Sequence, residues 1–122
     1  MTGNRILIID DSEVVRGLIT KGLESFGYAV TAAATYEEMT RALKSGFDLI
    51  LMDLNMPELY GDDVGNVLRY VRGVQTPIYM LSSERPDELS RRATEAGLDG
   101  WISKRDGVAA VFERIKQVLP LE

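Results

Sequence analysis

Two stretches of the chain, Ile6-Leu7-Ile8-Ile9 and Leu49-Ile50-Leu51-Met52, are apolar at every position. Each runs straight into acid: Asp10 and Asp11 follow the first, Asp53 the second. A strand with one wet face alternates polar and apolar residues, so an unbroken apolar run fits a strand covered on both faces. Such strands belong to parallel sheets with helices packed above and below. In open sheets of that kind, ligands bind beyond the carboxyl ends of the strands. The three carboxylates fall at those ends. Crowded there, they need a compensating cation, and an all-oxygen donor set suits Mg²⁺ rather than zinc or copper.

The rest of the chain repeats the unit. Apolar runs recur at residues 6–9, 28–32, 48–52, 77–81 and 100–102, with segments of helical length between them. The pattern is five βα repeats, an α/β fold with a parallel sheet and right-handed crossovers. Residues 1–120 are expected to form one domain; Leu121-Glu122 after Pro120 is a candidate cloning scar, which would leave room for a longer natural chain. Helix punctuation agrees. Thr35-Tyr36-Glu37-Glu38 has capping-box spacing, with Gly46 as the expected end of that helix. Gly73 and Gly97 sit where the third and fourth helices should stop. Pro86 fits a first helical turn and Asp106 an N-cap. The final helix has the clearest stripe, through Val108, Val111, Phe112, Ile115, Val118 and Leu119, and it reads as core packing. The helix from Pro86 offers only Leu89, Ala93 and Ala96, beside a solvated Arg91-Arg92, and should be among the less firmly held elements.

Composition removes several kinds of chemistry. With no cysteine there is no disulfide and no thiol catalysis. With no histidine there is no Ser-His-Asp triad, no imidazole metal ligand and no phosphohistidine on this chain. A net charge of −5 argues against direct nucleic-acid binding. No apolar stretch reaches membrane-spanning length and the N-terminus does not read as a signal peptide, so the expected location is cytoplasmic.

Two more strand ends complete a constellation. Ser82 follows Ile78-Tyr79-Met80-Leu81, and Lys104 follows Trp101-Ile102-Ser103. A parallel sheet would bring both to the edge that carries Asp10, Asp11 and Asp53. Taken singly, each is an ordinary strand-end residue; their conjunction at successive strand ends carries the reading. The set suits phosphoryl transfer to a carboxylate: Mg²⁺ neutralises the transferred group, Lys104 pairs with one of its oxygens and Ser82 donates to another. Asp53 is then the nucleophile and forms an aspartyl phosphate.

On these residues the chain resembles the receiver domain of bacterial two-component response regulators, over essentially its whole length from Arg5 to Leu119. The resemblance is carried by Ile-Ile-Asp10-Asp11-Ser12, by Leu-Met-Asp53-Leu-Asn55-Met56-Pro57 with Gly61, by Met-Leu-Ser82-Ser83, and by Trp101-Ile-Ser-Lys104. It implies a doubly wound (βα)5 fold with the flavodoxin-like strand order 2-1-3-4-5. It also implies that Asp53 is phosphorylated by a sensor histidine kinase or phosphotransfer protein. Asp11, Asp53 and the Asn55 backbone carbonyl would ligate Mg²⁺, for which Mn²⁺ can substitute, while Asp10 acts mainly through water. Ser82 and Lys104 would hold the phosphoryl oxygens. Signalling would reshape the face made by the helix from Pro86, the strand 100–102 and the final helix, toward a downstream protein target or a fused output domain, with homodimerisation on activation as one outcome. Trp101 would either turn inward with the switch or stay as a static, half-buried cover. Asn55 and Glu84 occupy the two positions that tune phosphate lifetime in this family, and resemble the stand-alone chemotaxis regulators, which implies a short-lived signal.

The chain departs from the family pattern at three places. Ser83 stands where alanine is usual and offers a second hydroxyl beside Ser82. Trp101 is larger than the usual tyrosine or phenylalanine. Arg105 replaces the proline that usually follows the lysine, in a bond that is typically cis. A cis bond without proline costs ~2.5–4 kcal/mol, so a trans Lys104-Arg105 bond and an altered loop are expected. The alternatives are an interaction module that signals without phosphorylation and, as an enzyme, an aspartate-nucleophile phosphohydrolase. The latter generally needs a second acid where this chain has Asn55.

Overall fold

The uninterrupted apolar runs become two of the three inner strands, the adjoining pair on which the sheet is built. Parallel strands β1 (Arg5–Ile9), β2 (Ala29–Ala33), β3 (Leu49–Asp53), β4 (Ile78–Ser82) and β5 (Gly100–Ser103) lie in the order β2-β1-β3-β4-β5. The computed structural model describes residues 3–10, 12–53 and 75–121. Every residue of β3 and all but the first of β1 are buried, as strands covered on both faces must be. Edge strand β2 is largely exposed.

Four helices are described: α1 (Glu13–Phe26), α2 (Tyr36–Ala42), α3 (Pro86–Glu95) and α4 (Val108–Val118). Strand pleating deals alternate residues to opposite faces. Ile6, Ile8, Leu49, Leu51, Leu81 and Ile102 pack against Ile19 and Leu23 of α1 and Val111 and Ile115 of α4. Leu7, Ile9, Ile50, Met52 and Ile78 pack against Met39 of α2, while Met80 meets Leu89 and Ala93 of α3. The sheet is therefore wound on both sides, in the expected strand order. The helix expected between β3 and β4, with Gly73 at its end, lies outside the described residues. So do Asp11, Asn55, Met56, Pro57, Gly61 and Glu122.

Most of the punctuation is where the sequence puts it. Thr35 Oγ1 accepts from the Glu38 N–H at 3.1 Å, and Glu38 Oε1 reaches back to the Ala34 N–H at 2.7 Å. Pro86 opens α3, and Gly97 follows its C-cap with φ of 72°. Two expectations need correction. Helix α2 stops at Ala42, capped by Leu43 in a right-handed conformation, so Gly46 lies in the connection and not at the helix end. The N-cap of α4 is Gly107, at φ 95° and without a side-chain bond, and not Asp106. The chain turns into α4 through a positive φ that glycine tolerates and aspartate resists. The strands β2, β3, β4 and β5 also run one residue past the apolar runs, which makes Asp53 and Ser82 the last residues of their strands.

Helices α1 and α4 are joined closely. A Cβ on Gly22 would sit 2.1 Å from Cζ of Phe112, whose ring also meets Phe26 edge-on at 5.4 Å. The Tyr28 hydroxyl donates to the Leu119 carbonyl, and its partial burial raises its pKa above the ordinary 10.0. Glycine inside a helix usually costs about 1 kcal/mol against alanine. At Gly22 the overpacking penalty of about 1–3 kcal/mol should outweigh that gain. Gly17 of the same helix has open space where a Cβ would go. In urea titrations, Gly17→Ala should raise stability by up to about 1 kcal/mol and Gly22→Ala should lower it.

Candidate functional site

Because all five strands are parallel, their carboxyl ends share one edge. The β1–β3 register pairs Ile9 with Met52, so Asp10 and Asp53 leave neighbouring strands at the same level. The β4–β5 register pairs Ser82 with Ser103, and the Lys104 N–H extends that ladder to the Ser82 carbonyl at 2.8 Å. Lys104 Nζ lies 3.1 Å from Asp10 Oδ2 and 3.9 Å from Asp53 Oδ1. Residues distant in sequence thus meet around one ammonium group.

The burial of these groups decides how they behave. Asp10 is 1% exposed, Asp53 8% and Ser82 2%. An ionised carboxylate with so little water must be paid in hydrogen bonds and charge. Asp10 Oδ1 accepts from the Ser12 N–H at 2.9 Å while Oδ2 takes Lys104. The Asp10 carbonyl accepts from Arg16 Nη1 at 2.8 Å, which ties the strand end to α1. Ser12 also caps α1 by accepting from the Val15 N–H at 3.3 Å, so one residue organises both helix and carboxylate. The Ser82 hydroxyl accepts from the Glu84 N–H at 3.0 Å. That bond uses the oxygen lone pair and leaves the hydroxyl proton to donate elsewhere.

In front of Asp53 lies an open cavity of about 480 Å³, lined by Asp53, Ser82, Ser83, Glu84, Arg85, Lys104 and Arg105. At the buried floor two carboxylates face a single lysine, so the floor keeps an excess of hard oxygen donors. That donor set fits Mg²⁺, which prefers carboxylate oxygens and keeps several waters. The structure places Asp10, Asp53, Ser82, Ser83, Glu84 and Lys104 together; Asp11 and Asn55 lie outside the described residues. The Lys104-Arg105 bond is trans, as the loss of proline implies, and Lys104 still reaches both acids. Trp101 is half-buried beside Met80, Leu89 and Ala93 and borders a separate 210 Å³ cavity with Asp106, Ala110 and Arg114. Sequence reasoning missed Arg16 and Arg85. Arg16 lies within α1 and Arg85 in the extended residue just before α3, where the sequence marks no particular arginine.

The comparisons with known proteins agree with this geometry. Residues 6–116 match the family model of the response regulator receiver domain. The chain is 34% identical over 116 residues to the transcriptional regulatory protein ResD of Bacillus subtilis, covering 94% of this chain and 48% of ResD. It is 33% identical over 117 residues to CpxR of Escherichia coli K12, covering 95% and 49%. The chain therefore spans about half the length of these curated relatives. Among solved structures, the chemotaxis response regulator CheY4 of Vibrio cholerae superposes with a TM-score of 0.84 at 31% identity, covering 97% of this chain and 100% of that one. A Burkholderia pseudomallei response regulator, solved with a phosphorylated aspartic acid, a calcium ion and citrate, gives 0.78 at 27% identity, covering 95% and 66%.

The compensation by Lys104 can be tested directly. Removing one partner of a buried ion pair strands the other, at a cost of about 3–5 kcal/mol in full burial. Lys104 is 19% exposed, so Lys104→Met should lose about 2–3 kcal/mol in urea unfolding without added divalent cation. Millimolar Mg²⁺ should recover a larger share of stability in the variant than it adds to the wild type.

Proposed function

The chain belongs to the response regulator receiver domain family, and on that footing we propose that Asp53 accepts a phosphoryl group from the phosphohistidine of a sensor histidine kinase or phosphotransfer protein. One observation carries the proposal: Lys104 bridges buried Asp10 and Asp53, at 3.1 and 3.9 Å, on the floor of a cavity that Ser82 also lines. A carboxylate oxygen of Asp53 attacks phosphorus in line, the bond to the donor imidazole nitrogen breaks, and an acyl phosphate remains on this chain. Lys104 moves from pairing carboxylates to pairing a phosphoryl oxygen. Ser82, whose proton is unspent on the Glu84 amide, donates to another. Asp10, Asp11, Asp53 and the Asn55 carbonyl form the set that would hold Mg²⁺, or Mn²⁺ in its place. When bound, the ion neutralises charge on the transferred group.

The same proposal includes the output. Contacts made only by the phosphorylated site shift a pre-existing equilibrium, and the face of α3, β5 and α4 around Trp101 is the surface that changes. That face would act on a downstream protein target or a fused output domain, with a homodimer as a further form, in the cytoplasm and without direct nucleic-acid contact by this domain. Among the described residues no helix is long and apolar enough to cross a membrane. The phosphorylation-independent alternative drew on Arg105 and Trp101. Lys104 keeps its partners beside Arg105, so the alternative loses one of its two supports.

Incubation with Mg²⁺ and a small phosphodonor should add one phosphoryl group to the wild type by intact mass. None should add to Asp53→Asn or in excess chelator. Persistent labelling of Asp53→Asn would move the acceptor elsewhere. Asn55 and Glu84 set an expectation for lifetime as well: once donor is removed, the phosphorylated form should decay over minutes or faster, and a half-life of hours would contradict the short-lived signal.

A further inference from the structure

The cavity before Asp53 changes character from floor to rim. Asp53 and Ser82 at the floor are buried, whereas Ser83, Glu84, Arg85 and Arg105 at the rim are exposed. Three cations line it, and two are committed. Lys104 is held by Asp10 and Asp53, and Arg85 by Asp87 at 2.9 Å. Among the described residues no carboxylate pairs with the Arg105 guanidinium. The backbone beneath it is nonetheless fixed. The Arg105 N–H donates to Ser103 Oγ at 3.1 Å, the Lys104 carbonyl accepts from the Gly107 N–H at 3.2 Å, and the intervening peptide is trans. An uncommitted, planar, permanently charged group is thus mounted at the mouth of the site.

A phosphodonor needs such a group. It approaches a chain of net charge −5, passes Glu84 on the rim and meets a buried carboxylate. Each repels a doubly charged donor more than a singly charged one. A guanidinium matches the oxygens of a phosphoryl group in a two-point fork and acts on approach through focused field.

We propose that Arg105 determines phosphodonor preference: its guanidinium draws dianionic acyl phosphates into the cavity and favours them over less charged donors such as phosphoramidate. The proposal rests on Asp53 being the acceptor. With an acyl phosphate, an Asp53 oxygen forms the new bond to phosphorus. The bond from phosphorus to the acyl oxygen breaks, and its electron pair leaves with the carboxylate, so no proton moves. With phosphoramidate the phosphorus–nitrogen bond breaks, and the nitrogen departs with the protons it already carries. The two donors share an acceptor and differ in charge at the rim.

The test is the ratio of phosphorylation rates with acetyl phosphate and with phosphoramidate, read by intact mass in Mg²⁺ at fixed ionic strength. Arg105→Gln should lower that ratio about three- to tenfold, a single charge's share of a focused field whose whole effect starts at about tenfold, and Arg105→Lys should recover most of it. Added NaCl should lower the ratio more in the wild type than in Arg105→Gln, because only the wild type has the Arg105 attraction to screen, while both share the acidic background. A ratio held within about twofold in Arg105→Gln, or the same salt dependence of the ratio in Arg105→Gln as in the wild type, overturns the proposal. A substitution that merely displaces Lys104 slows both donors together and leaves the ratio unchanged, so it counts against the proposal too. Failure of the acceptor reading looks different: the wild type gains no mass with either donor, or Asp53→Asn gains it equally.

Discussion

The site depends on a carboxylate that has almost no water. Asp10 is 1% exposed at the end of a buried strand, next to a second nearly buried acid on the adjoining strand. Adjacent strands lie only about 4.8 Å apart, so two ionised carboxylates there repel strongly unless something stands between them. Lys104 is that group, delivered from the far edge of the sheet over a separation of 94 residues. The ion pair can exist only after β1, β3, β4 and β5 have assembled in order. The compensation is also incomplete: one ammonium faces two carboxylates. The residual charge strains the fold and is also what makes the pocket attractive to a divalent cation and receptive to a phosphoryl group that Lys104 can hold.

Much of this was legible in the chain because the signals are local. The unbroken runs at Ile6–Ile9 and Leu49–Met52 state burial on both faces, and burial on both faces states a parallel sheet. The edge location of Asp10, Asp53, Ser82 and Lys104 then follows from topology alone. What failed was local as well. Gly46 looked like a helix stop, but α2 is a short helix that ends at Ala42, capped by Leu43, before reaching it. Asp106 looked like a cap, but the turn into α4 needs a positive φ, which selects Gly107. Arg16 could not be singled out, since its bond to the Asp10 carbonyl depends on how α1 docks against β1. No pattern along one helix records that angle.

The replacement of proline by Arg105 had two possible consequences. A trans bond could have withdrawn Lys104 from the acids, or the loop could have absorbed the change. The loop absorbs it: Ser103 Oγ takes the Arg105 amide, Gly107 closes back on Lys104, and the lysine stays on Asp10 and Asp53. What proline cannot supply, a backbone donor and a cationic side chain, both arise at a position that lines the cavity.

The attachments of α4 are unevenly spread along its length. Phe112 fills the gap left by Gly22, Lys116 lies over the Phe26 ring at 3.9 Å, and the Leu119 carbonyl is taken by Tyr28. At the other end, Gly107 provides no side-chain cap and Val108 is 42% exposed. The helix is a cantilever, clamped at the end remote from the carboxylates and loosely seated beside them. Its weaker attachment is therefore in the first turn, beside Lys104 and the cavity that Trp101 borders, where Val111 carries the packing and a push on Val108 meets least resistance.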